Sequence, residues 1–239
     1  MFLILTVRLF TGEMSQLYES WLPAMMFLAV LSMIIGNIMA LVQTSLKRML
    51  AYSSIAHSGY MAIAVCAIAG SGNEFPISAI LFYLVGYAIS SIGAFGTLMW
   101  LESEENDNLL IDDVAGLSQR HPWAAFALTS FLFAFAGMPP TVGFMAKFFV
   151  FNAAIMNQLY SLVVIGVIGS SISLYYYLRV IVKMYMEGPS QSPSHVVGRR
   201  TIWTTTVIAC AIVLTILLGT VLPGPALKSL SGTSQEISH

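Results

Sequence analysis

The sequence predicts an all-α, polytopic transmembrane helix bundle with about six full transmembrane helices, one of them broken, and an N-terminal helix stub. Three observations predict this fold class. Of the 239 residues, 57% are hydrophobic and only 9% are charged, whereas a soluble domain carries about 25% charged residues. The apolar residues come in blocks of about twenty, the helix length that crosses a bilayer. One block is too long for a single straight span and is interrupted by glycine and proline.

Each element follows from an apolar block and the polar or proline-rich break that ends it. Met1–Phe10 is apolar but too short to cross a membrane, so we interpret it as the helix stub. The predicted helices are, in order, Trp21–Gln43, Arg48–Ala69, Ile77–Leu101, the interrupted block Trp123–Ala154, Leu159–Met186 and Thr201–Leu222. Residues 223–239 are expected to form a flexible tail, and residues 1–239 a single transmembrane domain.

The cations in the loops predict the orientation, because cytoplasmic loops of membrane proteins carry an excess of Lys and Arg. One set of alternate loops holds six cations, whereas the other set holds Arg8 and Lys228. The first set is therefore predicted to be cytoplasmic, which places the C-terminus on the outer side of the membrane. The six cations are Lys47, Arg48, Arg120, Lys183, Arg199 and Arg200.

Lys147 is the first candidate site residue. It lies in the stretch Gly143–Phe151, with apolar residues on both sides. A lysine near the bilayer centre costs about 2.5–3.5 kcal/mol, and such residues face a bundle interior or a wet cavity. The alternative is a lysine near a helix end whose amine reaches the interface. The predicted helix continues about two turns beyond Lys147, which favours the interior.

The second candidate is the helix break, formed by Gly137, Pro139 and Pro140. The two prolines remove two backbone donors, so the carbonyls of Phe135 and Ala136 lose their helical partners. At membrane depth such a break survives only where it lines a cavity or is buried in protein. Discontinuous helices of this kind mark ion sites in transporters, and a structural kink without an ion role is the alternative.

The third candidate is a polar face on the second predicted helix. Ser53, His57 and Tyr60 recur at spacings of four and three, which places them on one helix face. His57 lies near the middle of its span, and an imidazole can take a proton on one nitrogen while releasing one from the other. A histidine bonded to a neighbouring helix for packing is an equally weighted alternative.

Two further cations are secondary candidates for a proton path. Lys47 lies with Arg48 at a helix boundary, where a role in setting topology is the simpler interpretation. The run Tyr175–Tyr177, with Arg179 and Lys183 after it, is typical of residues that anchor a helix at the membrane interface. Arg179 is nevertheless deep enough in its helix to enter a polar channel.

The sequence also excludes several classes of chemistry. It contains no metal-ligand cluster, no glycine-rich phosphate loop and no nucleophile–base pair, and a net charge of -1 gives no field for nucleic acid. It has no nucleotide fold, and its two cysteines are too few for an iron–sulfur cluster, so the chain cannot itself oxidise NADH. We therefore expect no metal and no cofactor on this chain, and the lipid bilayer as its surroundings.

Two stretches resemble a known family. Gln43–Tyr60 resembles the signature of the antiporter-like subunits of bacterial respiratory complex I, the NADH–quinone oxidoreductase. Ala136–Phe148 is similar to the broken helix in the C-terminal half of those subunits. The lysine at 147 favours chain N (subunit N) over chain M, where a glutamate is expected, and Leu174–Arg179 is also similar to chain N. The resemblance covers essentially the whole chain.

The resemblance implies proton translocation coupled to quinone reduction in a bacterial inner membrane. The partners would be the other membrane-arm subunits, and NADH, FMN, iron–sulfur clusters and quinone would be bound elsewhere in the complex. The implied fold has fourteen helices in two inverted five-helix repeats, of which this chain would supply the end of the eighth and the ninth to fourteenth. Lys147 then matches a lysine on the broken twelfth helix near the outer exit of the proton path, and His57 matches a polar position on the tenth.

The chain departs from the family in one respect. The family's first half carries a glutamate and a lysine for an inner half-channel, and a central lysine that would fall just before Met1. We therefore expect a fragment, a misassigned start or a truncated gene, and this chain alone cannot form a pump with two half-channels. The alternatives are a cation/proton antiporter or a membrane-bound hydrogenase subunit of the same superfamily, or a truncated scaffold that does not pump.

Overall fold

The fold is built from helices that follow the apolar blocks. The computed structural model describes residues 18–68, 75–101, 109–188, 202–221 and 223–224. No β-strand occurs in these ranges. The helices are α1 (Tyr18–Leu41), α2 (Leu46–Ile68), α3 (Phe75–Leu101), α4 (Leu117–Arg120), α5 (Pro122–Ala136), α6 (Val142–Met156), α7 (Tyr160–Met186) and α8 (Ile202–Thr220).

The predicted fold class is confirmed. Five of the described helices, α1, α2, α3, α7 and α8, are long and apolar enough to cross a membrane, so the chain is a multi-pass membrane protein. The shorter α5 and α6 form the two halves of the predicted broken helix. Every predicted boundary of a full helix lies within three residues of the observed one. The stub and all but two residues of the predicted tail lie outside the described residues, and the single-domain organisation stays a prediction.

The backbones of α1 and α2 approach closely because glycines lie at their contact. A Cβ added to Gly36 would lie 2.5 Å from the backbone nitrogen of Ala56, and one added to Gly59 would lie 2.9 Å from the carbonyl oxygen of Ala29. Small residues allow such close approach between membrane helices. The approach lets Tyr60 of α2 bond Asn37 of α1.

The break between α5 and α6 is a tight backbone turn. α5 ends at Ala136, and the φ of 78° at its C-cap residue, Gly137, lies in the left-handed region that glycine adopts without steric cost. The backbone N–H of Gly137 donates to the carbonyls of Phe133 and Ala134. The two half-helices then touch, because a Cβ on Gly143 would lie 1.7 Å from the carbonyl oxygen of Ala134. The turn leaves the last carbonyls of α5 without helical partners.

A segment that we call the strap, residues 109–116, joins three elements at one end of the bundle. Its backbone bonds to other elements are Leu46 N to Leu109 O (3.0 Å), Ile111 N to Thr44 O (2.8 Å) and Gly116 N to Lys183 O (3.1 Å). The link between α1 and α2, the strap and the end of α7 therefore lie together. The predicted orientation requires these alternate loops to lie at the same end of the bundle, as they do. Which side of the membrane this end faces stays a prediction.

Candidate functional site

The amine of Lys147 sits at the break between α5 and α6. The side chain is 4% exposed, so it does not reach the interface as the alternative interpretation required. Its Nζ donates to the carbonyls of Phe135 and Ala136, both at 3.0 Å, and to Oγ of Ser170 on α7 at 2.9 Å. An ammonium has three donors, and all three are used. The two carbonyls are those that the proline break was predicted to leave free.

Gly137 makes room for this lysine as well as for the turn. A Cβ on Gly137 would lie 2.9 Å from Cδ and 3.3 Å from Nζ of Lys147. A larger residue would therefore strain the left-handed backbone and press on the lysine at the same time. Glycine at position 137 therefore allows both the backbone turn at the break and the observed position of the Lys147 amine.

The partners of Lys147 carry no formal charge. No carboxylate of a described residue lies within ion-pair distance of Lys147, and Lys183, which pairs with Asp112 and Glu187, lies far along α7 from Ser170. Neutral groups, two carbonyls and one hydroxyl, therefore accept the hydrogen bonds of the ammonium. Intramembrane lysines without a fixed counter-ion are candidates for sites that gain and lose a proton.

Tyr60 connects Lys147 to the polar face of α2. Its ring centroid is 5.1 Å from Nζ of Lys147, within cation–π distance, and 5.9 Å from the ring centroid of His57. Ser53, His57 and Tyr60 are all buried, so the predicted face does turn into the bundle. The hydroxyl of Ser53 donates back to the carbonyl of Leu50 in its own helix at 3.0 Å. The roles of these residues in proton transfer stay predictions.

His57 lies between two tyrosines on different helices. Its Nδ1 is 2.8 Å from the hydroxyl oxygen of Tyr83 on α3, and its Nε2 is 3.4 Å from the hydroxyl oxygen of Tyr177 on α7. The ring of Phe135 packs 5.5 Å away, centroid to centroid. Each ring nitrogen thus faces a hydroxyl, which is the arrangement that passing a proton through an imidazole requires.

A small cavity lies beside His57. Its volume of about 10 Å³ is on the scale of a single water molecule. Three of its lining residues, Tyr83, Tyr87 and Ser90, carry hydroxyl groups. The remaining lining residues are His57, Gly86, Ala134, Phe135, Gly143 and Ala146.

Asn37 on α1 is a residue of this site that the sequence reasoning missed. It is 1% exposed, and its Nδ2 donates to the carbonyl of Met33 at 2.8 Å and to the hydroxyl of Tyr60 at 3.3 Å. Its Oδ1 accepts from the hydroxyl of Tyr176 at 3.2 Å. The available signal was an amide in the interior of a 24-residue helix that is otherwise almost wholly apolar.

The interpretation of Tyr175–Tyr177 as interfacial anchors is wrong for two of the three residues. Tyr176 and Tyr177 are 1% and 0% exposed, whereas Tyr175 is 64% exposed. Consecutive residues on a helix point about 100° apart, so the three rings cannot share one face. The two buried tyrosines instead bond Asn37 and His57. Tyr83 and Ser170 were also missed, because single hydroxyls in apolar helices are common.

The secondary candidates Lys47 and Arg179 do not join the site. Lys47 lies in the first turn of α2, about 15 Å along the helix from His57. Arg179 lies about 13 Å along α7 from Ser170. Both are partly exposed, and neither is among the hydrogen-bond partners of Lys147 or His57.

In the part of the chain that the structure describes, no group of three or more His, Cys, Asp or Glu side chains is placed to hold a metal ion. The two cysteines are unpaired. Cys66 is buried in α2, and Cys210 is exposed on α8. The absence of a cofactor on this chain stays an expectation.

Comparison with known proteins identifies the family. Residues 1–173 match the family described as NADH:quinone oxidoreductase/Mrp antiporter, transmembrane. The chain belongs to this antiporter family. Among its relatives are NADH-quinone oxidoreductase subunit N of Paramagnetospirillum magneticum, 37% identical over 98% of this chain, and subunit N of Chloroflexus aggregans, 42% identical over 92%. The chain spans 47% and 43% of the lengths of these two antiporter-family proteins, less than half of each.

Chains of three solved complexes have a similar fold. A chain of respiratory complex I from Thermus thermophilus is 30% identical, with a TM-score of 0.72, and the match covers 86% of this chain and 45% of that one. A chain of an archaeal membrane-bound sulfane sulfur reductase is 25% identical, with a TM-score of 0.78, covering 92% and 43%. A chain of the Mrp complex from a Dietzia species, 20% identical with a TM-score of 0.75 and covering 90% and 47%, shows the fold alone.

Proposed function

We propose that this chain is part of a proton-translocating membrane-arm subunit of an NADH–quinone oxidoreductase, and that Lys147 and His57 carry the protons. The observation that supports it best is the environment of Lys147. A buried amine binds two carbonyls freed by a helix break, has no carboxylate partner among the described residues, and lies over Tyr60 beside His57. The similarity to subunit N relatives supports the choice of complex.

In the proposed cycle, quinone reduction elsewhere in the complex changes the electric field at Lys147. The neutral amine takes a proton that arrives by way of His57 and water in the adjoining cavity. The ammonium then releases this proton toward the outer side and returns to the neutral amine. The free carbonyls and Ser170 hold the ammonium between these two steps.

The remaining features of the proposal concern the surroundings of the chain. It lies in a bacterial inner membrane, as a single transmembrane domain with the C-terminus on the outer side. Its partners are the other membrane-arm subunits, and NADH, FMN, the iron–sulfur clusters and quinone are bound by other subunits of the complex. The excess of cations in one set of alternate loops supports the orientation.

The variant Lys147→Ala tests the proposal in the assembled complex, in inverted membrane vesicles. We expect the complex to assemble and NADH-driven acidification of the vesicles to fall, because the group that carries the proton is gone. Acidification is measured with a pH-sensitive dye and compared with the rate of NADH oxidation in the same vesicles.

Lys183→Ala is the matched control. This lysine lies at the end of α7, pairs with Asp112 on the protein surface, and makes no contact with Lys147. It should leave acidification unchanged. Undiminished acidification in Lys147→Ala vesicles that contain the assembled complex would exclude the proposed role.

A cation/proton antiporter is the second candidate, because the matched family includes Mrp antiporters and the Mrp complex of Dietzia shares the fold. Transport in vesicles with and without sodium separates the two. Proton movement driven by a sodium gradient in the absence of NADH would favour the antiporter. A chain with only a scaffold role in the complex would show neither NADH-driven nor sodium-driven proton movement.

Because the chain spans less than half of its subunit N relatives, the intact mass of the subunit in the native complex is a useful companion measurement. A mass of 26.0 kDa would mean that another chain supplies the inner half-channel or that the protein does not pump. A mass about twice as large would assign the proposed mechanism to a longer subunit of which this sequence is a part.

A further inference from the structure

Helix α8 packs against both halves of the broken helix, α5 and α6, and against α3. Ile208, Ala211 and Ile212, in the middle of α8, belong to the apolar cluster that contains buried residues of α5. Leu218, near the end of α8, packs against a second cluster, which contains buried residues of α6. α8 therefore passes the break and contacts the chain on both sides of it.

Gly219 brings the backbone of α8 directly onto the break. A Cβ added to Gly219 would lie 2.3 Å from the carbonyl oxygen of Pro140. It would also lie 2.4 Å from the carbonyl carbon of Thr141 and 2.6 Å from the backbone nitrogen of Val142. Atoms in ordinary contact are about 3.5–4.0 Å apart, so a side chain here would force the two backbones apart by about 1 Å. All three contacts are with main-chain atoms, which cannot rotate away as a side chain can.

Gly86 of α3 contacts the start of α6 from a second helix. A Cβ on Gly86 would lie 2.7 Å from Cγ2 and 3.3 Å from Cγ1 of Val142. In contrast to the contact of Gly219, this contact involves side-chain atoms. Residues 140–142, where α6 begins, are thus approached by the backbones of α3 and α8 at positions where neither helix has a side chain.

The start of α6 determines where the amine of Lys147 lies relative to α5. Lys147 follows Val142 by five residues in the same helix, so the two move together. The acceptors of the amine, the carbonyls of Phe135 and Ala136, belong to the last turn of α5 and lie 3.0 Å from Nζ. A relative shift of about 1 Å is enough to lengthen these distances beyond the range of about 2.7–3.2 Å for N–H···O bonds.

The turn between α5 and α6 has few bonds of its own to resist such a shift. Pro139 and Pro140 have no backbone N–H to donate. The backbone N–H and the hydroxyl of Thr141 both donate to the carbonyl of Met138, at 3.0 and 2.7 Å. These bonds lie within the turn, so they do not hold it against a neighbouring helix. The packing of α3 and α8 supplies that constraint from outside the turn.

We propose that Gly219 is a positioning residue for Lys147. Together with Gly86, it lets α8 and α3 close on the start of α6, and this packing keeps the amine within bonding distance of the α5 carbonyls. The inference rests on the proposed proton-conducting function of Lys147. It gives α8 a part in proton transfer, although the three acceptors of the amine lie on α5 and α7.

The test compares Gly219→Ala with Gly96→Ala in inverted vesicles that contain the assembled complex. Gly96 lies in the interface of α3 with α8, but a Cβ there would be 3.6 Å from Cγ1 of Ile208, an ordinary contact. Alanine forms helix more readily than glycine, so the helices themselves favour both substitutions. We expect Gly219→Ala to lower the acidification per NADH oxidised several-fold and Gly96→Ala to leave it unchanged.

Hydrogen exchange in the purified complex shows whether the loss comes from the break. The backbone N–H groups of Gly137, Met138 and Thr141 are bonded at the break, so their exchange reports its opening. They should exchange several-fold faster in Gly219→Ala than in Gly96→Ala, while the amides of the strap keep their wild-type rates. Faster exchange in the strap as well would mean a general loosening of the bundle and would contradict a positioning role.

Val142→Ala separates the two glycine contacts. Gly86→Ala should also lower acidification, and G86A/V142A should restore it, because the side chain that the new methyl group meets is smaller. Val142→Ala should not restore Gly219→Ala, because the new methyl group there meets main-chain atoms. If Gly219→Ala does not assemble, both the loss in Gly86→Ala and its recovery in G86A/V142A must be observed for the proposal to stand.

Wild-type acidification in assembled Gly219→Ala, wild-type exchange at its break, or recovery in G219A/V142A would each overturn the positioning role. Failure of the proposed function has a different signature. It would appear as undiminished acidification in Lys147→Ala, whereas the exchange rates at the break in Gly219→Ala do not depend on proton transfer.

Discussion

Lys147 and His57 lie close together but are held by different kinds of partner. Two of the three acceptors around Lys147 are main-chain carbonyls at the end of α5. Both partners of His57 are phenol hydroxyls on side chains of other helices. A main-chain carbonyl cannot be removed by changing a side chain, whereas each phenol can. We therefore expect the lysine environment to respond to backbone geometry and the histidine environment to respond to single hydroxyls.

Gly137→Ala should have the largest effect, because it alters the backbone that forms the lysine environment. The left-handed conformation costs a non-glycine residue about 1–2 kcal/mol, and the new methyl group would lie 2.9 Å from Cδ of Lys147. Coupled acidification should fall by more than about tenfold, since 1.4 kcal/mol corresponds to about a factor of ten. Gly188→Ala, where a Cβ meets nothing within 4 Å, should behave as wild type. Equal behaviour of the two variants would contradict the dependence on backbone geometry.

Ser170→Ala should have the next largest effect. It removes the one side-chain acceptor of Lys147 and leaves an N–H of the ammonium unbonded. A hydrogen bond to a charged group contributes about 1.5–3 kcal/mol, so we expect coupled acidification to fall about tenfold. Ser171→Ala is the control, because its exposed hydroxyl bonds only the carbonyl of Val167. A response to Ser171→Ala as large as that to Ser170→Ala would show that the lysine environment is not involved.

Tyr83→Phe and Tyr177→Phe should have smaller and unequal effects. A hydrogen bond between neutral groups contributes about 0.5–1.5 kcal/mol, which corresponds to about a two- to tenfold loss of coupled acidification. Tyr83→Phe should cost more, because its hydroxyl is 2.8 Å from His57 and that of Tyr177 is 3.4 Å away. The reverse order, measured in matched vesicles, would mean that Nε2 rather than Nδ1 is the more important side of the imidazole.

Asp112→Asn should have the smallest effect. The ion pair of Asp112 with Lys183 lies at the surface, with the acidic side chain 76% exposed, and such pairs contribute about 0–1 kcal/mol. We expect no change in acidification and a change in the thermal unfolding midpoint of at most a few degrees. A loss of transport would show that the end of α7 is coupled to the site.

More of the lysine environment than of the histidine environment could be predicted from the sequence. Proline chemistry is local, so Pro139 and Pro140 are sufficient to identify Phe135 and Ala136 as residues with free carbonyls. The partners of His57 lie on helices that are distant in the sequence. Because these helices are apolar on most sides, the sequence has no clear periodicity that shows which face of each helix turns toward His57. For this reason Tyr176 and Tyr177 were misassigned and Tyr83 was missed.

The boundaries of the helices were predictable because membrane thickness and unsatisfied backbone groups leave few choices for a spanning segment. Asn37 was overlooked because one amide in α1 gives no spacing pattern to recognise. The strap was not predictable either. It folds through backbone bonds to residues 44–46 and to Lys183, and no side-chain pattern in residues 109–116 encodes those partners.

Amide hydrogen exchange in the strap can report on movements of the helices that it joins. The amide hydrogens of Leu46, Ile111 and Gly116 are each bonded across an element boundary, so they exchange with deuterated solvent only when that joint opens. Deuterium uptake by a peptide that covers residues 109–116, compared between idle and respiring vesicles, would show whether α7 shifts against α1 and α2 during turnover. Deuterium uptake in the strap would then report on movements of the helices that surround the buried Lys147.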